Sequence, residues 1–278
     1  MTVNAPLRQE LFAANRATGR LACSVVAAAG SARRARLHEA GSLRLRFPNR
    51  EPGGALEAVM VNTAGGMAGG DRFDIDVAVG AGAKLAVTTA AAEKIYRSLG
   101  PATEIGVKLK VGVGGALAWL PQETILFDRA RLYRTIAVDL AGDSSLMLAE
   151  AVVFGRSAMG ETVTSGEFFD RWRVRRGGTL VFAETLRLGG AIAQRLARRA
   201  SANGGVAVAS VLKFPSDDAS IAAVRGIAAD FRGEVGVSAW NGLALARLVA
   251  PDDATLRRDL ITVVTALGGT PPPRLWLN

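Results

Sequence analysis

A chain of 278 residues that is 49% hydrophobic can bury a large core, and its single cysteine, Cys23, excludes an intrachain disulfide and fits a reducing compartment. The one histidine, His38, lies among arginines, which excludes a histidine-based triad and leaves too few His and Cys ligands for a zinc or copper site. A formal charge of +9 raises the prospect of an acidic partner. The arginines are scattered without interleaved aromatics, and no common nucleic-acid module matches.

Residues 1–19 are mixed and unpatterned. From Arg20 the pattern becomes strand-like through Leu21, Cys23 and Val25, with Cys23 read as a small buried hydrophobe. Ser42–Phe47 alternates, Pro48–Gly54 reads as a turn, and Leu56–Val61 leads into a glycine loop. Short strands then follow at Arg72–Val79, Lys84–Thr89, Glu104–Val111, Ala116–Phe127, Leu132–Leu140, Ser145–Phe154, Glu167–Arg176 and Thr179–Arg187. Gly, Asp and Pro punctuate them, as in a sandwich, barrel or solenoid, although no known solenoid repeat is visible. The last third, roughly 190–278, changes to mixed α and β. It holds helices over Ala191–Ala200, Asp217–Asp230 and Asp252–Leu267 and strands over Val206–Lys213, Glu234–Trp240 and Leu243–Val249. Asp252 and Asp253 cap the last helix, Leu256, Leu260, Val263, Val264 and Leu267 line one face, and Gly268-Gly269 stops it. With no linker in view, the chain reads as one β-rich domain over 1–278. No run approaches the ~20 apolar residues of a membrane span, and the first ten residues carry no secretory pattern, so a cytoplasmic location is expected.

The glycine loop is the most distinctive stretch: Gly65-Gly66-Met67-Ala68-Gly69-Gly70-Asp71. Its glycines permit positive φ and close approach of another group. A phosphate-cradling loop normally feeds a helix whose N–H groups face the anion. This one feeds the period-two run from Arg72, ends on the Asp71 carboxylate and lacks the Lys-Ser/Thr of a P-loop, so it reads as a tight glycine turn inside a β-sheet.

Chemistry is then left to carboxylates. Glu150 and Glu184 each stand in an apolar run, where a buried carboxylate is expensive unless paired or wetted. Solvent exposure or pairing with an arginine such as Arg156 are the structural alternatives. Glu93 beside Tyr96 and Arg97, and Glu161 after Gly160, complete the candidates.

These residues, taken in order, resemble the urease accessory protein D family (UreD, also called UreH) over nearly the whole chain. The resemblance rests on Gly65–Arg72, on Thr88-Thr89 with Lys94–Ser98, on Trp119–Ile125, on Gly155-Arg156 with Gly160-Glu161, and on Pro273–Trp276. Asn62-Thr63-Ala64 stands where the family often has His-Pro-Pro, and Ala91-Ala92 where it commonly has Pro-Gly. The resemblance implies a mainly β fold, a solenoid-like helical stack of strands with a few helices. It implies a non-enzymatic role, binding a UreF-type accessory protein that recruits a UreG-type GTPase, with the assembly docking on apo-urease to insert nickel. It also implies an internal water-filled passage for transient nickel, at Asp71, Glu150 and Glu184 here, with no tightly bound cofactor and no membrane or nucleic-acid partner. Gly65, Gly66, Gly69, Gly70, Glu93, Tyr96, Arg97, Arg156 and Glu161 are then family-motif positions for partner contact or structure. Carboxylates with water exchange nickel more readily than imidazole or thiolate, so a chain with one His and one Cys suits passage over storage. The competing readings are a paired-carboxylate enzyme, which needs two of the three acids in one closed pocket, and a basic binder of nucleic acid or acidic surfaces.

Overall fold

The computed structural model describes residues 15–28, 31–48, 55–98 and 100–277. In chain order its first strands are β1 (Thr18–Ala28), β2 (Ser31–Gly41), β3 (Leu43–Arg46), β4 (Leu56–Asn62), β5 (Arg72–Val79), β6 (Lys84–Thr89), β7 (Glu93–Ile95) and β8 (Thr103–Val111). Then come β9 (Ala116–Trp119), β10 (Thr124–Leu126), β11 (Arg131–Leu140), β12 (Ser145–Phe154), β13 (Gly166–Arg176) and β14 (Thr179–Gly190). The C-terminal portion adds α1 (Ile192–Leu196), β15 (Ala207–Phe214), α2 (Asp218–Gly226), β16 (Glu234–Trp240), β17 (Leu243–Ala250) and α3 (Asp253–Gly268).

From β5 to β13 the chain passes back and forth between two sheets, so it winds as a β-solenoid of about four turns. The first sheet has the order β14-β13-β11-β8-β5-β1-β2; the second runs β16-β17-β15-β12-β9-β6-β4-β3, with β10 joining β12 to β7. The central pairings are parallel: Arg72 sits opposite Glu104, Glu104 opposite Tyr133, and Tyr133 opposite Phe169. Each coil stacks its Gly-rich turn on the one before, as when Gly82 donates to the Val113 carbonyl and Gly112 to that of Val79.

Alternation decides what is buried. Odd and even side chains of a strand face opposite ways, and the inward set of the first sheet (Leu21, Val77, Leu109, Val138) meets Leu85, Trp119 and Leu148 of the second. The second sheet is covered on its other face too. There α3 lays Leu256, Leu260, Val263, Val264 and Leu267 on the small side chains Ala149, Ala209 and Ala246. Burying each of those five contributes roughly 1.5–3 kcal/mol before entropy is counted. Strand β12, buried on both faces, is accordingly a near-continuous apolar run.

The expected Ala116–Phe127 strand is two strands, because Pro121 offers no N–H to a ladder. Around it Gln122 turns back to Thr89 and Glu123 pairs with Arg257. The expected Ala191–Ala200 helix is only α1, and Asp217–Asp230 is α2 followed by a 3₁₀ turn, Ala228–Asp230; the Asp217 side chain does cap α2 by accepting from Ser220 N. Strand order begins at Thr18, inside the stretch expected to be unpatterned; residues 1–14 and 49–54 of the expected N-terminal segment and turn lie outside the described residues. Cys23 is buried as expected, and burial pushes its thiol up to about 11. Among the described residues no helix is long and apolar enough to cross a membrane.

Candidate functional site

The inward face of β11 reads Leu132, Arg134, Ile136, Val138, and that of β13 Phe168, Asp170, Trp172, Val174. Parity therefore drives one guanidinium and one carboxylate into an apolar core. Arg134 donates from Nε and Nη2 to the two oxygens of Asp170 at 3.1 and 2.6 Å, and from Nη1 to Glu150 of the opposite sheet. The other Glu150 oxygen accepts from Trp119 Nε1 at 2.9 Å. All three charged groups are buried, and a buried charge persists only when paired and hydrogen-bonded. One cation faces two carboxylates, so one negative charge is in excess. Burial raises the Glu150 pKa, with Arg134 opposing.

Glu150 also begins a polar row across the second sheet. It sits opposite Ser210 on β15, Ser210 opposite Arg247 on β17, and Arg247 opposite Gly236 on the edge strand β16. Paired residues project to the same side, here toward the first sheet, and strands lie about 4.8 Å apart. The row thus leads in strand-width steps from the buried cluster to the rim. At the rim Arg247 holds Glu184 of β14 in a two-point ion pair, Nη1 to Oε1 at 3.0 Å and Nη2 to Oε2 at 2.7 Å. Arg134, Glu150, Asp170, Ser210 and Glu184 line one cavity of about 30 Å³. That is room for about one or two waters. Among the described residues no three His, Cys, Asp or Glu side chains form a group able to hold a metal ion.

Asp71 does not line that cavity. It is buried at the start of β5, its Oδ1 accepting from Ala17 N at 2.8 Å and its Oδ2 from Ala68 N at 2.7 Å. Its carboxylate fastens the glycine loop to the segment entering β1. The structure thus brings Glu150 and Glu184 together and sets Asp71 apart.

The remaining motif positions form a second assembly. Met67, fully buried, pins the glycine loop by accepting from Tyr96 N at 2.8 Å and donating to the Lys94 carbonyl at 2.7 Å. Gly66 has φ +145°, and a Cβ there would lie 2.5 Å from the Tyr96 ring. At Gly69 a Cβ would lie 2.6 Å from the Pro101 carbonyl oxygen and against Ser98 Oγ. Gly65 and Gly70 have φ +75° and +91°. Tyr96 donates to the Gly65 carbonyl at 3.0 Å and meets Phe127 edge-on, at 5.1 Å between centroids. Arg156 lies 4.1 Å over Phe127 and pairs with Glu161 at 2.7 Å. Arg156 therefore serves Glu161 on the surface, and Arg134 is the arginine that pairs Glu150. Arg97 is exposed and bridges Ala130 through its backbone. Under the loop, Glu93 accepts from Asn62 Nδ2 at 2.9 Å. Burial pushes the Glu93 carboxyl up to about 7, against that hydrogen bond and one from the Lys94 backbone.

The reading of the sequence missed Arg134, Asp170, Ser210 and Arg247. For the first two a signal exists: each is a charged residue at the apolar parity of an alternating strand. Ser210 and Arg247 carry no such mark, since what distinguishes them is who sits opposite.

A family model described as UreD urease accessory protein matches residues 17–277. The urease accessory protein UreD of Rhodopseudomonas palustris strain HaA2 is 58% identical over 268 residues, 96% of each chain. That of strain BisA53 is 57% identical over 268 residues, 96% of this chain and 93% of the relative. That of Bradyrhizobium diazoefficiens is 56% identical over 268 residues, 96% of each chain. On a match that spans nearly its whole length, the chain belongs to the UreD urease accessory protein family.

Proposed function

We propose that this chain is a non-catalytic scaffold in urease maturation, docking on apo-urease with a UreF-type protein and a UreG-type GTPase and passing nickel inward between its two sheets. Family membership supports the role in urease maturation. The observation that carries the finer reading is the polar row from Glu150 through Ser210 to Arg247, with Glu184 at its mouth. Carboxylates and a hydroxyl along a water-sized cavity offer hard, exchangeable oxygen ligands, which suit a cation in transit. The same cavity argues against a paired-carboxylate enzyme, because about 30 Å³ is far below the ~300–1,000 Å³ of a small-molecule site. Glu150 and Glu184 are the passage residues in this reading. Asp71 supports the route by holding the glycine loop in place.

The test is urease activation in cells carrying the partner genes. Glu150→Gln and Glu184→Gln should lower activation while the complex with accessory proteins and urease still assembles on size exclusion. Wild-type activation in both variants removes the passage, and failure of the unaltered chain to associate with urease removes the scaffold role.

A further inference from the structure

The ion pair between Glu184 and Arg247 stands at the boundary between the cavity and solvent. Glu184 lines the cavity and its side chain is 17% exposed; Arg247 does not line it and is 56% exposed. The pair joins the first sheet's edge strand β14 to β17 of the second, so it closes the gap between the sheets at this point. Beyond Arg247 the row ends at Gly236, which has no side chain and no heavy atom within 4 Å of where a Cβ would lie.

Charge says what opening this pair would do. Inside, Arg134 neutralises one of the two carboxylates Glu150 and Asp170, leaving one negative charge uncompensated. A second carboxylate, Glu184, is cancelled from outside by Arg247. When Arg247 swings into solvent, Glu184 faces the cavity uncancelled. The three carboxylates and Arg134 then carry two net negative charges, which balances one divalent cation. While the pair is closed, the Arg247 charge offsets that of Glu184.

We infer that Arg247 is the latch of the passage: it withholds Glu184 from the cavity, and its release makes the cavity selective for a divalent metal ion. This rests on the passage reading above. Arg247 is a positioning residue here, acting through Glu184. Because it is half exposed, its replacement leaves the core packing intact, unlike replacement of Arg134.

The experiment uses the full chain, Ni²⁺ as probe and equilibrium dialysis at pH 7, with circular dichroism to verify folding. Arg247→Gln should bind Ni²⁺ ~10-fold more tightly than the unaltered chain, the change that releasing one charged hydrogen-bonded pair produces. Arg247→Gln combined with Glu184→Gln should return to the unaltered level, and Mg²⁺ in excess should compete weakly with the single variant. Equal Ni²⁺ binding by the unaltered chain and Arg247→Gln overturns the latch while leaving the passage standing. Tighter binding that persists in the double variant also overturns it, because the gain would not run through Glu184. Ni²⁺ binding by none of them overturns the latch, and together with full urease activation by Glu150→Gln it overturns the passage as well.

Discussion

Arg134 grips Asp170 with two parallel hydrogen bonds, 3.1 and 2.6 Å long, in the middle of an apolar layer. The two residues sit on neighbouring strands of one sheet, opposite each other in register. Breaking such a pair leaves an unpaired buried charge, which costs about 3–5 kcal/mol. Arg134→Met, which strands Glu150 and Asp170 without their cation, should therefore lower the unfolding free energy measured in urea by that amount. Replacing Arg134, Glu150 and Asp170 together by Met, Leu and Leu should cost much less, since no charge is then stranded. A loss below ~1 kcal/mol for Arg134→Met, within the range of exposed pairs, would show the cluster to be solvated.

The glycine loop predicts an order of damage. Gly65→Ala meets no heavy atom within 4 Å but sits at φ +75°, so left-handed backbone strain of about 1–2 kcal/mol is its only cost. Gly66→Ala adds a clash with Tyr96 to φ +145° and should cost more, about 2–4 kcal/mol from strain and overpacking together. Thermal unfolding of the two variants checks this. Equal losses would mean that the Tyr96 ring moves aside freely.

Glu93 links loop stability to pH. Its folded pKa of about 7 lies above the ordinary carboxylate value. The folded state therefore binds more protons than the unfolded state between about pH 4.5 and 7, and stability falls as pH rises through that window. The full difference is on the order of 3 kcal/mol. Glu93→Gln should flatten the profile between those limits and be more stable than the unaltered chain above pH 7. Urea titrations at pH 5 and pH 8 decide it, and identical pH slopes in the two proteins would put Glu93 in water.

The 3₁₀ turn Arg274–Trp276 is a tether. Trp276 is 1% exposed, its Nε1 donates to the Leu120 carbonyl at 2.9 Å, and Arg257 lies 5.6 Å above its ring while pairing Glu123 at 2.9 Å. Trp276→Ala should cost about 3–5 kcal/mol. Trp276→Phe, which keeps most of the apolar area and loses the N–H, should cost about 1–3 kcal/mol for the carbonyl left unsatisfied. Chemical denaturation of both variants separates packing from hydrogen bonding.

Much of the fold was legible in the sequence. Strands β5, β6, β12 and β16 occupy the expected ranges, because alternation between Gly-rich turns leaves few other ways to bury their apolar face. Helix α3 was marked by the Asp252 cap, which accepts from Thr255 N, and by Gly269 at φ +71°. Strand β2 was not legible: its arginine-rich sequence is exposed along most of its length, and it is held by antiparallel pairing to β1. Strand β7 is three residues inside a polar cluster and exists because β10 lies beside it.

The sequence by itself determined the alternation, the turns, the family motif, and the presence of carboxylates in apolar runs. Tertiary structure alone decided what those carboxylates meet. Glu150 is 16 residues from Arg134 and Glu184 is 63 from Arg247. No local period joins such pairs; the register between strands does, and register is fixed by the sum of all the cross-strand contacts at once.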